Sequence, residues 1–98
     1  MKSFLVILKN KSPVPLPATL LVKHVKHLQK LHHSGHLLLC GPFASEPGAV
    51  MILQADSIKE AEIMMKKDPF IKEKYYAAYN LTEFCPANPS NHWLLNSN

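Results

Sequence analysis

Apolar and polar positions fall into blocks whose period changes from strand-like to helix-like and back. Residues 3–9 (Ser-Phe-Leu-Val-Ile-Leu-Lys) form a short apolar, partly β-branched run, which predicts a buried central strand. Residues 10–17 carry Pro13, Pro15 and Pro17 at alternate positions. With no N–H at those sites the segment reads as an extended loop, and Pro17 suits the first turn of a helix. Over residues 19–34, Leu20, His24, Leu28 and Leu31 recur at spacings of four, four and three, one stripe of an amphipathic helix that Leu21 and Val25 widen. Lys23, Lys26 and Lys30 lie mostly away from that stripe, and Gly35 ends the helix as a left-handed cap.

Residues 36–41 are abruptly apolar and read as a second strand. Ser45-Glu46-Pro47-Gly48 supplies turn chemistry, and residues 49–55 complete a hairpin. Ser57 to Glu60 is a capping box that opens a second helix, with Ala61, Met64 and Met65 on its apolar side. Asp68-Pro69 breaks that helix and starts a short new turn, Asp68 as N-cap and Pro69 in the first position. Residues 74–85, rich in Tyr, Leu, Thr and Phe, predict a long final strand. The order β-α-β-β-α-β predicts an α+β, ferredoxin-like fold with a four-stranded antiparallel sheet in the order 4-1-3-2. Residues 1–85 form one domain in this reading, and residues 86–98 a polar C-terminal tail containing Trp93, which either covers a cleft or lies loosely. Both helices share one face of the sheet. The bare, partly apolar face needs a partner, and a second copy of the chain is expected there.

Composition narrows the classes. The chain has 98 residues, 47% of them apolar and 18% charged, a globular balance for one domain. No apolar run approaches the ~20 residues of a membrane span, and the N-terminal run is too short for a signal peptide. A soluble, cytoplasmic protein is the expectation. The net charge is +4, and all eleven basic residues are lysines, scattered along the chain. Without arginine the bidentate fork that grips phosphate and reads bases is missing, so nucleic acid is not expected as a partner, and with no long apolar run neither is a membrane. Cys40 and Cys85 form no Cys-x-x-Cys and read as reduced thiols. In the expected sheet order they lie at opposite edges, which excludes a bridge between them.

Six histidines are present, five of them between positions 24 and 36. His24 and His27 share a helix face, but His32 and His33 lie elsewhere on the helix and no Cys or Glu falls at a matching spacing, so no metal site and no cofactor is expected. His24 alone sits on the apolar stripe. It reads either as a satisfied core histidine or as an acid/base, and Asp68 either as a mere helix cap or as its partner. An imidazole beside a carboxylate is held in one tautomer and its charged form is favoured, the requirement for acid/base chemistry near neutral pH. No nucleophile constellation or phosphate loop is visible.

His24, Gly35, the Leu-Leu-Leu-Cys-Gly41-Pro42 run, Gly48, Ser57 to Ala61 and Asp68-Pro69-Phe70, in this order and spacing, resemble the YCII-related (YciI-like) family over about residues 2–85. The resemblance implies a ferredoxin-like fold dimerised by sheet packing into a dimeric α+β barrel. It also implies a His-Asp active-site pair, here His24 and Asp68, and proton transfer or dehydrochlorination on a small cyclic or aromatic substrate. Many members carry an arginine shortly before the histidine; this chain has none. Gly41 and Pro42 are expected to shape one wall of the cleft, and Phe70 another. The competing reading is a non-catalytic ligand-binding or accessory module whose cleft is lined by Phe43, Phe70, Tyr75, Tyr76 and Tyr79.

Overall fold

The structure is a computed structural model that describes residues 1–95. Strand β1 (Lys2–Lys11) leads through the proline loop to helix α1 (Ala18–His33), then to β2 (Leu37–Pro42), β3 (Ala49–Ala55), helix α2 (Ile58–Lys67), a single turn α3 (Pro69–Lys72) and β4 (Tyr76–Phe84). The four strands form one antiparallel sheet in the order β2-β3-β1-β4, the ferredoxin-like arrangement expected. Among the described residues no helix is long and apolar enough to cross a membrane.

Alternation along β1 sends Phe4, Val6 and Leu8 to one face, where each is at most 2% exposed. They pair in register with Leu53, Met51 and Ala49 of β3, which point the same way. Leu20 and Leu31 of α1 and Ala61 and Met65 of α2 close this core from above. Burial of one such leucine stabilises the fold by roughly 1.5–3 kcal/mol. The opposite face carries Leu5, Ile7, Val50 and Ile52, which are only partly covered by one another, and Leu39, which is exposed. Among the described residues no helix packs there, because both crossovers lie on the same side.

Local chemistry explains the element ends. The Gly35 N–H donates to the His32 carbonyl and the His36 N–H to the Leu31 carbonyl, with Gly35 at φ 81°, so the helix stops in a left-handed cap. Gly48 sits at φ 121°, and a Cβ there would lie 3.0 Å from the Leu8 carbonyl oxygen and the Phe43 ring, so the hairpin before β3 requires glycine. Ser57 Oγ accepts from the Glu60 N–H and starts α2.

The final strand begins later than the sequence pattern implies. Lys74 adopts φ 58°, and the Tyr75 N–H donates to the Phe70 carbonyl, so residues 73–75 close α3, while the Tyr75 carbonyl accepts from the Ser12 N–H at 2.7 Å just ahead of the strand. In the tail a 3-10 turn (Pro89–Leu94) starts on Asn88, whose side chain accepts from the Ser90 and Asn91 N–H groups. Trp93 stays exposed there, and residues 96–98 lie outside the described part of the chain. Cys40 on β2 and Cys85 just after β4 are free, and β2 and β4 are the opposite edges of the sheet.

Phe4→Ala removes a fully buried ring from the centre of the sheet and is expected to destabilise the fold by about 3–5 kcal/mol in urea unfolding. Leu5→Ala, one residue along on the bare face, is expected to lose less than half as much in the monomer.

Candidate active site

Helix α1 is amphipathic, and its buried stripe brings His24 over the sheet at 9% exposure. Asp68 joins α2 to α3 and is fully buried. Its backbone is extended because Pro69 follows, which turns the side chain back over the start of α3. There Asp68 Oδ1 accepts the Phe70 N–H at 2.9 Å, the helix-cap role, and the same oxygen lies 2.9 Å from His24 Nδ1. The two readings of Asp68 are therefore both true. A carboxylate only accepts, so Nδ1 carries the hydrogen and Nε2 is the nitrogen left free. The Phe70 ring stacks on the imidazole at 3.6 Å between centroids and 7° between planes. One short turn of chain thus supplies the hydrogen-bond acceptor, the cap and the stacking surface.

His24 lines a cleft of about 380 Å³ between α1, the proline loop and the ends of β2, β3 and β4. That volume is in the range of pockets for single-ring molecules (~300–1,000 Å³). Gly41 and Pro42 form part of one wall, and Phe70, Tyr75 and Tyr76 part of another. Phe70, Tyr75 and Tyr76 also pack mutually at 4.9–5.8 Å. Phe43 and Tyr79 are not part of the cleft wall, contrary to the sequence reading. Phe43 packs against Gly48, while the Tyr79 hydroxyl donates to Glu62 at 2.7 Å on the helix side of the sheet. Leu21 and Val25, read as an extension of the core stripe, instead line the cleft with 43% and 40% exposure. The sequence reading missed Lys11, which reaches the cleft from the end of β1 with its ammonium 5.8 Å from the Tyr75 ring centre. No apolar pattern marked it, because residues 9–11 are Lys-Asn-Lys and β1 runs on through them to Lys11.

Among the described residues the cleft is lined by one cation, Lys11, beside the His24 imidazole, and by no carboxylate, since Asp68 lies behind the imidazole. Burial pushes the Tyr76 phenol up, and Tyr75 adds to this, so Tyr76 is neutral at pH 7. Desolvation, followed by the Asp68 charge, also raises the Cys40 thiol, which keeps it protonated and a poor nucleophile. Among the described residues no three His, Cys, Asp or Glu side chains converge as a metal site would need. His32 and His33 sit apart on the last turn of α1, and His36 lies 2.7 Å from the Gln54 carbonyl oxygen through Nδ1.

Residues 3–85 match the family model described as the YCII-related domain. A solved structure, 5-chloro-2-hydroxyhydroquinone dehydrochlorinase from Burkholderia phenoliruptrix AC1100 in complex with 2,5-dihydroxybenzoquinone, is similar at a TM-score of 0.63 and 22% identity, over 85% of this chain and 93% of that one. At that identity the likeness is one of fold. No curated protein matches the sequence.

Two outcomes are expected. Asp68→Ala removes a cap and a hydrogen bond to a buried ring, which together cost about 2–4 kcal/mol in urea unfolding; Asp68→Asn, whose amide oxygen still accepts from Phe70, is expected to cost less than half of that. The second concerns His27, whose proton affinity is lowered from its ordinary 6.5 mainly by burial, opposed by the Asp68 charge. The unfolded ring then binds protons more readily than the folded one. This contribution to stability is complete above pH 6.5 and is lost as the pH falls through the lower folded value. Unfolding measured between pH 8 and 5 is expected to show this loss, and His27→Gln is expected to flatten it.

Proposed function

The chain belongs to the YCII-related family, and from that premise we propose that it is an acid/base enzyme that moves a proton on a small cyclic or aromatic substrate. The observation that carries the reading is the 2.9 Å contact between His24 Nδ1 and a fully buried carboxylate, at the wall of a ring-sized cleft. With Nδ1–H committed to Asp68, Nε2 offers its lone pair as the base. As it takes a proton from carbon or from a ring hydroxyl, Asp68 stabilises the imidazolium and keeps the ring from turning. The same proton is returned at another ring position in an isomerisation, or stays behind as a leaving group such as chloride departs. Phe70 stacks against the imidazole on one side, so the ring is presented in one orientation. Gly41, Pro42 and Phe70 are the proposed substrate contacts, and Lys11 supplies the cation for a ring oxygen that becomes anionic. No metal or cofactor enters the scheme.

We further propose that the chain works as a homodimer. The support is the uncovered face of Leu5, Ile7, Leu39, Val50 and Ile52, an apolar surface on a sheet whose helices all lie on the other side. The free thiols of Cys40 and Cys85 suit the cytoplasm as the place of action.

The test uses the ligand class of the structural neighbour. The protein is titrated with 2,5-dihydroxybenzoquinone, and chloride release is followed with 5-chloro-2-hydroxyhydroquinone and related halogenated ring substrates. Saturable binding and turnover are expected. His24→Ala is expected to abolish turnover, and Asp68→Asn to reduce it by roughly 10²–10⁴, with the fold intact. Binding without turnover across the panel, unaltered by His24→Ala, overturns the enzyme reading in favour of a ligand-binding module of the same fold. Sedimentation at micromolar concentration is expected to give a dimer, and Ile52→Asp a monomer; a wild-type monomer refutes the proposed assembly.

A further inference from the structure

The ring-sized cleft holds a cation that has no counter-ion among the described residues. Lys11 lines the cleft, is exposed, and takes part in none of their ion pairs, which are Lys23–Glu73, His24–Asp68 and His36–Glu60. Its root is fixed by the sheet. Lys11 pairs in register with Tyr76, and the next N–H, that of Ser12, donates to the Tyr75 carbonyl at 2.7 Å. Pro13, Pro15 and Pro17 then stiffen the loop that leads to α1. From this anchored position the ammonium lies 5.8 Å from the centre of the Tyr75 ring, within cation–π reach. An aromatic row runs on from there to the base. Tyr75 packs on Phe70 at 4.9 Å between centroids, and Phe70 stacks on His24 at 3.6 Å. The ammonium and the imidazole thus stand against neighbouring rings of one wall.

We propose that the cleft selects a ring compound that is already an anion when it binds, a ring carboxylate or an ionised acidic ring hydroxyl, and that Lys11 is the specificity-determining residue that takes its charged oxygen. This deepens the acid/base reading above, on which it rests for placing the substrate in this cleft, and adds which substrates enter. An ammonium beside apolar walls gains most from an anion, because water screens the pair less there and a charge-assisted hydrogen bond is stronger than a neutral one. A neutral ring offers the ammonium no more than water does.

The other groups of the cleft favour the same class of ligand. No carboxylate among the described residues lines it, so an anion meets no repulsion there and a cationic ligand finds no partner. Asp68 is fully buried behind the imidazole, its Oδ1 engaged by His24 and the Phe70 N–H. The Cys40 thiol and the Tyr76 phenol are neutral and bring no negative charge. The charge also orients the ligand. With its anionic oxygen at Lys11, the ring is aligned along Tyr75 and Phe70, and a position away from the charged group is presented to His24 Nε2. The same ammonium then serves the further charge that builds on the ring as a proton leaves it.

The experiment reads binding and needs no turnover, so its failure and the failure of the enzyme reading are separable. Benzoate and benzamide are the probes, one ring in nearly one shape, charged in the first and neutral in the second at pH 7. Each is titrated into the ¹⁵N-labelled full chain, and the NMR shifts give its Kd and the residues it touches. Benzoate is expected to bind about tenfold more tightly than benzamide, with shifts at Gly41, Phe70 and Tyr75, and added salt to weaken benzoate alone. Lys11→Met keeps the apolar stem at an exposed position, so the fold is expected to persist. It is expected to weaken benzoate by about tenfold and to leave benzamide nearly unchanged, whereas Lys11→Arg, which retains the charge, is expected to keep most of the preference. No detectable benzoate binding, equal binding of the two probes, or a benzoate affinity indifferent to Lys11→Met overturns the proposal, whatever substrates are turned over. Lys11-dependent binding of benzoate without turnover of any ring substrate supports it, and counts against the catalytic reading alone.

Discussion

A fully buried carboxylate is the group this fold has most to lose from, and the structure is arranged around satisfying Asp68. An ionised carboxyl group in an apolar interior is stable only with donors around it. Here the Phe70 N–H and the His24 ring supply them through one oxygen. The consequence is a coupling between architecture and chemistry. The residue that ends α2 and begins α3 also sets the tautomer of the imidazole, so the site cannot be misaligned without disturbing the junction of two helices. Exposed ion pairs such as Lys23–Glu73 at 3.5 Å contribute little by comparison, because water screens them.

The sheet provides the fixed platform for that junction. Phe4, Val6 and Leu8 anchor the central strand beneath both helices, and the ends of β2, β3 and β4 form the wall opposite His24. Because both crossovers cover the same face, the rigid core and the cleft lie on one side of the sheet and the bare apolar surface on the other. The cleft and the proposed dimer face are thus separate surfaces. The cleft itself has apolar walls, a cation at the rim and an imidazole, with the Asp68 carboxylate hidden behind the ring. That polarity suits a ring that gains negative charge as it reacts.

Much of this was legible in the sequence because periodicity, caps and breakers agree. The stripe through Leu20, His24 and Leu31, the Gly35 stop, the Ser57 cap and the Asp68-Pro69 break all report local physics, and the structure repeats them. What was not legible depends on tertiary placement. Tyr75 and Tyr76 read as strand, but the left-handed turn at Lys74 ties the Tyr75 N–H to α3, and its ring lies in the cleft wall. Phe43 lies just past β2 and packs against Gly48, and Tyr79 faces the helices but is drawn to Glu62, so neither reaches the cleft wall. Leu21 and Val25 have the pattern of core residues, yet the helix overhangs an open cleft at that point. Nor can a sequence say that Asp68 is cap and partner at once, since that depends on one oxygen lying 2.9 Å from two donors.

The central claim is that Asp68 holds His24 with its hydrogen on Nδ1 and its lone pair on Nε2. Its most direct test is the tautomer of His24, read by long-range ¹H–¹⁵N NMR at a pH where the ring is neutral. The account predicts a protonated Nδ1 and an unprotonated Nε2 in the wild-type protein. A hydrogen on Nε2, or rapid averaging between the two nitrogens, would contradict it, because neither is compatible with a ring fixed on a buried carboxylate.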